Sequence, residues 1–222
     1  MLAGGALTTL GGCGVFNANT YRFRMTVEVD TPQGVRSGSS VYEVRAWNTP
    51  KILPEGRARD WSLRGEAVAV DLSGGQTLFA LMTTRRYDLL IVSMRTLDPA
   101  FRNDIVESAA RIANGAGIRS PAEINRSDYP WLVSFRDNRD PASVVPVDPE
   151  ELYLRLGAGV SLRRILVAVT DDRVTALIRR RLPWIVTHRG TLKPNPPRLM
   201  NDPSDPDLQL LDAGPFTTER FS

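Results

Sequence analysis

Residues 21–47 constrain the fold more than any other stretch. Tyr21, Phe23, Met25, Val27 and Val29 alternate with Arg22, Arg24, Thr26, Glu28 and Asp30. A two-residue period places the apolar set on one face of a strand and the charged set on the other. Thr31-Pro32-Gln33-Gly34 follows, with proline where φ near −65° is wanted and glycine where φ can turn positive. The run 39–47 then sets Tyr42, Val44 and Ala46 against Glu43 and Arg45. The pattern predicts a β-hairpin with one dry face, which needs a second layer to cover it.

A second hairpin is expected from runs 63–72 and 76–84, joined by Ser73-Gly74-Gly75. Val68, Val70 and Leu72 share one face, and the small Ala67 and Ala69 share the other. Close packing over the small face places this hairpin centrally in the sheet, beside the first. Residues 87–94 (YDLLIVSM) form an apolar run of strand length, which periodicity alone does not separate from a buried helix.

Three helices are expected, each opening on an aspartate able to cap free backbone N–H groups. The first begins at Asp98-Pro99 and ends at Asn114-Gly115; the second begins at Asp148-Pro149 and ends at Gly157. The third begins at Asp171-Asp172 and carries the stripe Val174, Leu177, Ile178 and Leu182. Strands are expected at 131–135 and 160–170, the latter central in the sheet, with Leu166, Val167 and Val169 among the most buried residues. The fold class is therefore α+β: a mainly antiparallel sheet from the two N-terminal hairpins, with about three helices packed on one side. A single domain spans 19–187, between a targeting-like N-terminus (1–18) and a Pro/Asp-rich C-terminal tail (188–222).

Charge and composition exclude more than they select. There are 28 Lys and Arg against 25 Asp and Glu, and only Lys51 and Lys193 are lysines. Acids and bases alternate, so no one-signed surface is expected to steer nucleic acid. Arg85-Arg86, Arg163-Arg164 and Arg179-Arg180-Arg181 are the basic tracts, and no aromatic-studded strand accompanies them as a stacking platform. One cysteine and one histidine cannot supply a zinc site or a disulfide framework. His188 has no Gly-x-Ser-x-Gly elbow to serve. Gly115-Ala116-Gly117 lacks the third glycine of a dinucleotide fingerprint, and Asp202, Asp205 and Asp207 lack the glycine and glutamate of a calcium loop. No cofactor is implied. Asp171 and Asp172, at the end of a strand, are the remaining candidates for a hydrolase-type site, as general bases or Mg²⁺ ligands; the competing reading of the pair is a helix cap.

The N-terminus points to a compartment. Leu2, Ala3, Ala6, Leu7 and Leu10 are interleaved with glycines and lead into Leu10-Gly11-Gly12-Cys13. That tetrapeptide resembles a bacterial lipobox, which would make Cys13 a lipidation site, although no Lys or Arg precedes the apolar run. Three stretches, YRFRMTVEVDTPQGVRSGSSVYEV (21–44), RGEAVAVDL (64–72) and VDPEELYLRLGAGVSLRRILVAVTDDRVT (147–175), together resemble a family of alphaproteobacterial envelope proteins with lipoprotein-like N-termini. The resemblance implies an envelope location and an α+β domain, and it carries over no catalytic residue. The expected function is a non-enzymatic envelope protein, exported or membrane-tethered through its N-terminus, that binds or scaffolds a protein partner there. A hydrolase-type enzyme using Asp171 or Asp172 and a phage-type structural or assembly protein are the alternatives.

Overall fold

The computed structural model describes residues 18–49, 59–84, 87–192 and 211–219. The alternating stretch forms β1 (Asn19–Thr31) and β2 (Gly34–Asn48), joined at Thr31↔Gly34 around Pro32-Gln33. Gly34 takes φ +107°, a backbone conformation that a side chain would resist. β1 lies at the centre of a five-stranded antiparallel sheet, between β2 and β9 (Ser161–Val169). β3 (Arg59–Arg64) and the two-residue β6 (Ala122–Glu123) form its edges. As the alternation predicts, Tyr21, Phe23, Met25, Val27 and Val29 are buried, while the residues between them are half-buried.

The fold is α+β and its sheets are antiparallel, but the two hairpins belong to different sheets. β4 (Val68–Asp71) and β5 (Thr77–Thr84) join β7 (Pro130–Phe135) and β8 (Val144–Val147) in a second sheet, of order β4-β5-β7-β8. The run 63–72, expected to be one strand, divides at Gly65: Leu63 pairs with Val44 in the first sheet, and Val68 with Ala80 in the second. The cause is steric. A Cβ on Gly65 would lie 2.4 Å from Tyr42 Cδ1, so only glycine lets the chain pass over that ring from one layer to the other.

The two sheets therefore cover each other, and the dry face of the first hairpin packs on Val68, Val70, Leu78 and Ala80. Phe23 stacks on Tyr42 at 4.9 Å in the middle of this core. Gly38 lets the two layers approach closely, since a Cβ there would sit 2.0 Å from the carbonyl oxygen of Ala69. The second sheet is buried on its other face too. Phe79, Leu81, Val133 and Phe135 meet Ile178, Leu182, Trp184 and Phe216 there, with edge-on ring contacts at 5.5–5.7 Å. Described residues 211–219 of the C-terminal stretch thus contribute Phe216 to a core.

The helices depart from expectation in two places, after Asp98 and after Asp172. Residues 87–94, whose period fits either a strand or a buried helix, contain the start of α1 (Leu89–Leu97). Leu89, Leu90, Val92, Met94 and Leu97 are all buried, and a helix buried nearly all round loses the polar face that would reveal its period. Asp98 closes α1 rather than opening a helix; its carboxylate accepts from Ala100 N–H, and α2 (Ile105–Arg111) begins only after Asp104 caps Glu107 N–H. Between them Asn103 has φ +66°, which interrupts helical geometry. No helix follows Asp172: residues 171–177 run without regular structure into a single 3₁₀ turn (Ile178–Arg180). The expected helix after Asp148-Pro149 is present as α3 (Leu152–Leu156).

Strand β9 is central, as expected, and contains a bulge. Glu28 faces Arg164 while Val29 faces Leu162, leaving Arg163 as the extra residue. The bulge shifts the phase, so Leu162 below it and Ile165 and Val167 above it all point inward. Val167 is accordingly buried, but Leu166 and Val169 are half-buried rather than among the most buried residues.

Two outcomes test this packing by chemical denaturation. Val167→Ala should cost about 1–3 kcal/mol through lost burial and the cavity left behind. Gly38→Ala, although it adds one methyl group, should cost a similar ~1–3 kcal/mol by forcing β2 and β4 apart.

Candidate functional site

Asp171 and Asp172 stand at the end of β9, where the strand leaves the first sheet. Asp171 accepts from Arg119 at 3.2 Å, and its side chain is 89% exposed. Asp172 binds Arg24 and accepts from Thr170 Oγ1 at 2.8 Å. The hydrogen bonds from Arg24 and Thr170 hold the Asp172 carboxyl below the usual carboxylate range. The two carboxylates engage different arginines, and neither lines either of the two clefts described below.

Other sequence candidates are dispersed. His188 Nε2 lies 3.2 Å from the Thr191 carbonyl oxygen, with its ring edge-on to Trp184, so the imidazole is spent on local structure. The arginine tracts are largely neutralised in place: Arg163 binds Asp30 at 3.0 Å, Arg164 binds Glu28 at 2.7 Å and Arg179 binds Glu219 at 2.8 Å. Arg181 binds Asp71. Cys13, Arg85-Arg86 and the Asp202, Asp205 and Asp207 triplet lie outside the described residues. Among the described residues no three His, Cys, Asp or Glu side chains gather as a metal site, and no helix is long and apolar enough to cross a membrane.

Two clefts stand out on the surface of the described residues. The first, of about 510 Å³, lies between the first half of β2 (residues 35–40), the start of β4 and the chain after Thr175. Its floor is Ala67 and Ala69, and Arg36, Asp71 and Arg181 stand among its lining residues. At its base is Glu66, only 4% exposed, whose carboxylate accepts from Leu177 N–H at 2.8 Å and from Ile178 N–H at 2.9 Å. Those amides open the 3₁₀ turn, so Glu66 supplies the cap that Asp172 was expected to provide. Beside it Tyr42 is fully buried; burial first, then the nearby Glu66 carboxylate, raises its hydroxyl far above the ordinary phenol range.

The second cleft, of about 560 Å³, lies along edge strand β8 and is lined by Trp131, Pro146, Pro149 and Leu154. Arg126 crosses it to Glu150 at 2.9 Å. In both clefts most carboxylates are bound to arginine or to backbone N–H groups. That arrangement suits holding a ligand's backbone or apolar groups more than moving protons. Sequence reading did not anticipate the first cleft, because Glu66 and the edge of β2 acquire partners or lose them only through tertiary contacts. The weak local signal was an acid flanked by Gly65 and Ala67, where the chain has no bulk to hide it.

The buried polar centre of the helical layer is structural. Asp98 is 4% exposed and accepts from Ser108 Oγ at 2.7 Å, Arg111 Nη2 at 2.7 Å and Ala100 N–H at 3.0 Å. Burial alone would raise its pKa, but the bonds from Arg111, Ser108 and the Ala100 amide outweigh it and leave the carboxyl below its ordinary value.

No family model, no curated protein and no solved structure matches the chain.

Because the folded pKa of Asp98 is depressed, its contribution is fully present above its unfolded value, near 4, and is lost as pH falls through the folded value. Asp98→Asn should therefore cost about 2–3 kcal/mol at pH 7. Denaturation midpoints measured from pH 7 to pH 3 should show the gap between the two proteins closing towards the acid end.

Proposed function

We propose that the chain is a non-enzymatic protein of the bacterial envelope, exported or tethered through its N-terminus, that binds or scaffolds another envelope protein. The observation that carries the binding half of this reading is the first cleft. It is bounded by a strand edge and a floor of small residues, and of its four formal charges Glu66 is spent on amides while Asp71 and Arg181 neutralise each other. Such a site offers hydrogen bonds and shape, without an acid and a base poised against each other. The envelope half rests on Leu10-Gly11-Gly12-Cys13 and on the resemblance of residues 21–44, 64–72 and 147–175 to envelope proteins. The pairing of Arg163, Arg164, Arg179 and Arg181 with carboxylates supports a protein partner over nucleic acid, since a phosphate would have to displace an acid at each.

Expression of the full chain in a Gram-negative host, followed by fractionation, tests the location. The wild-type chain should sediment with membranes, and Cys13→Ala should move it to a soluble fraction. Recovery of both proteins from the cytoplasm would remove the envelope reading.

A further inference from the structure

Among the described residues, the first half of β2 has an open edge. The two-residue turn makes Thr31 and Gly34 a bonded pair, so backbone groups of even-numbered β2 residues point at β1 and those of odd-numbered residues point away. Val41 obeys this rule, accepting from Thr175 N–H at 3.2 Å and donating to Thr175 Oγ1 at 2.9 Å. Beyond it Glu43, Arg45 and Trp47 face β3. Among the described residues no strand lies beside Val35, Ser37 and Ser39 on that side; all three are exposed, and all three line the 510 Å³ cleft.

We propose that this edge binds an extended segment of a partner protein as an added strand, its backbone pairing with Val35, Ser37 and Ser39. Unpaired donors and acceptors at two-residue spacing are matched by another extended backbone. The walls limit what fits. Thr175, Leu177, Ile178 and Arg181 bound the far side, which leaves room for one segment and obstructs the broad approach of a second copy's sheet. The floor of Ala67 and Ala69 asks for small apolar or hydroxyl side chains on the inward face. Among the lining charges Glu66, Asp71 and Arg181 already have partners, so among the described residues Arg36 is the cation left to receive a carboxylate. The occupant is therefore an extended peptide of small residues with one acid opposite Arg36.

This inference rests on the reading of the chain as a binding protein, but its test uses the purified full chain and is independent of cellular location. Amide hydrogen exchange by NMR would be followed with a pool of acetylated, amidated heptapeptides carrying a central Asp and Val, Ala, Ser or Thr elsewhere; a second pool carries a central Lys. In the free chain the N–H groups of Val35, Ser37 and Ser39 should exchange rapidly, and those of Arg36, Gly38 and Ser40 slowly. The Asp pool should slow the first three by about tenfold or more, and the Lys pool should not. Arg36→Glu should reverse the preference. Ser37→Pro, or Val35→Pro should the first variant misfold, should abolish protection while leaving the remaining spectrum in place, because proline is tolerated where a strand N–H faces outward. No protection at millimolar Asp pool, or protection that survives the folded proline variant, overturns the proposal. So does a doubled mass by light scattering with these amides protected in the absence of peptide, which would assign the edge to a second copy.

Discussion

The architecture depends on how Gly65-Glu66-Ala67 carries the chain from one sheet to the other. Gly65 clears the Tyr42 ring, and the three residues are then bonded from both sides. Glu66 accepts the amides of Leu177 and Ile178; Ala67 N–H donates to Phe216 C=O, and Thr218 N–H donates to Gly65 C=O. Ser40 Oγ adds a bond to Ala67 C=O from the inner face of β2. A buried carboxylate is tolerable only when its oxygens are satisfied, and here backbone N–H groups satisfy it. The same bonds dock residues 177–182 and 216–218 over the second sheet, whose outer face would otherwise leave Phe79, Val133 and Phe135 in water. One short crossing thus fixes the first layer, the second layer and the segments that cover it.

What was legible in the sequence was whatever local chemistry decides. The alternation from Tyr21 to Val29, the turn at Pro32-Gln33 and the stops at Gly115 and Gly157 are each settled within a few residues. The failures have a common physical origin. Asp98 and Asp172 both carry a helix-opening signal, yet Asp98 bonds the Ala100 amide with one oxygen and Arg111 and Ser108 with the other, and Asp172 binds Arg24; neither is followed directly by an α-helix. The amides at 177 and 178 found their acceptor in Glu66, 111 and 112 residues away, at a distance no local pattern reports. The run 63–72 keeps its strand period through Gly65, so its division between sheets was invisible without the Tyr42 ring beside it. The candidate site was less legible than the fold, because a cleft is made by partners that are missing from an edge.

The predominance of arginine among the basic residues also acquires a structural meaning. On the solvent face of the first sheet Arg22 reaches Glu43, Arg164 reaches Glu28 and Arg163 reaches Asp30, binding β1 to both of its neighbours. These pairs are partly exposed, and each contributes at most a fraction of a kcal/mol. Their larger effect is on register: a two-residue slip of β9 would remove Glu28 and Asp30 from their bases without changing which face is buried. A face neutralised in this way has little long-range field.

Edges are where the two sheets treat their strands differently. A sheet edge is normally guarded, by shortness, charge, proline or a covering segment. β6 is two residues long, β8 carries Pro146 and β3 carries Asp60 and Arg64. The chain just before β4 is covered where Ala67 bonds Phe216, and β2 is closed by Thr175 at Val41. Residues 35–40, Val-Arg-Ser-Gly-Ser-Ser, have none of these among the described residues except a single arginine. Gly38 cannot be replaced by a larger guard, because β4 lies against it, and Ser40 is committed to Ala67. The close packing that joins the two sheets therefore also keeps this edge small, polar and open, so that the cleft beside it follows from the same contacts that hold the fold together.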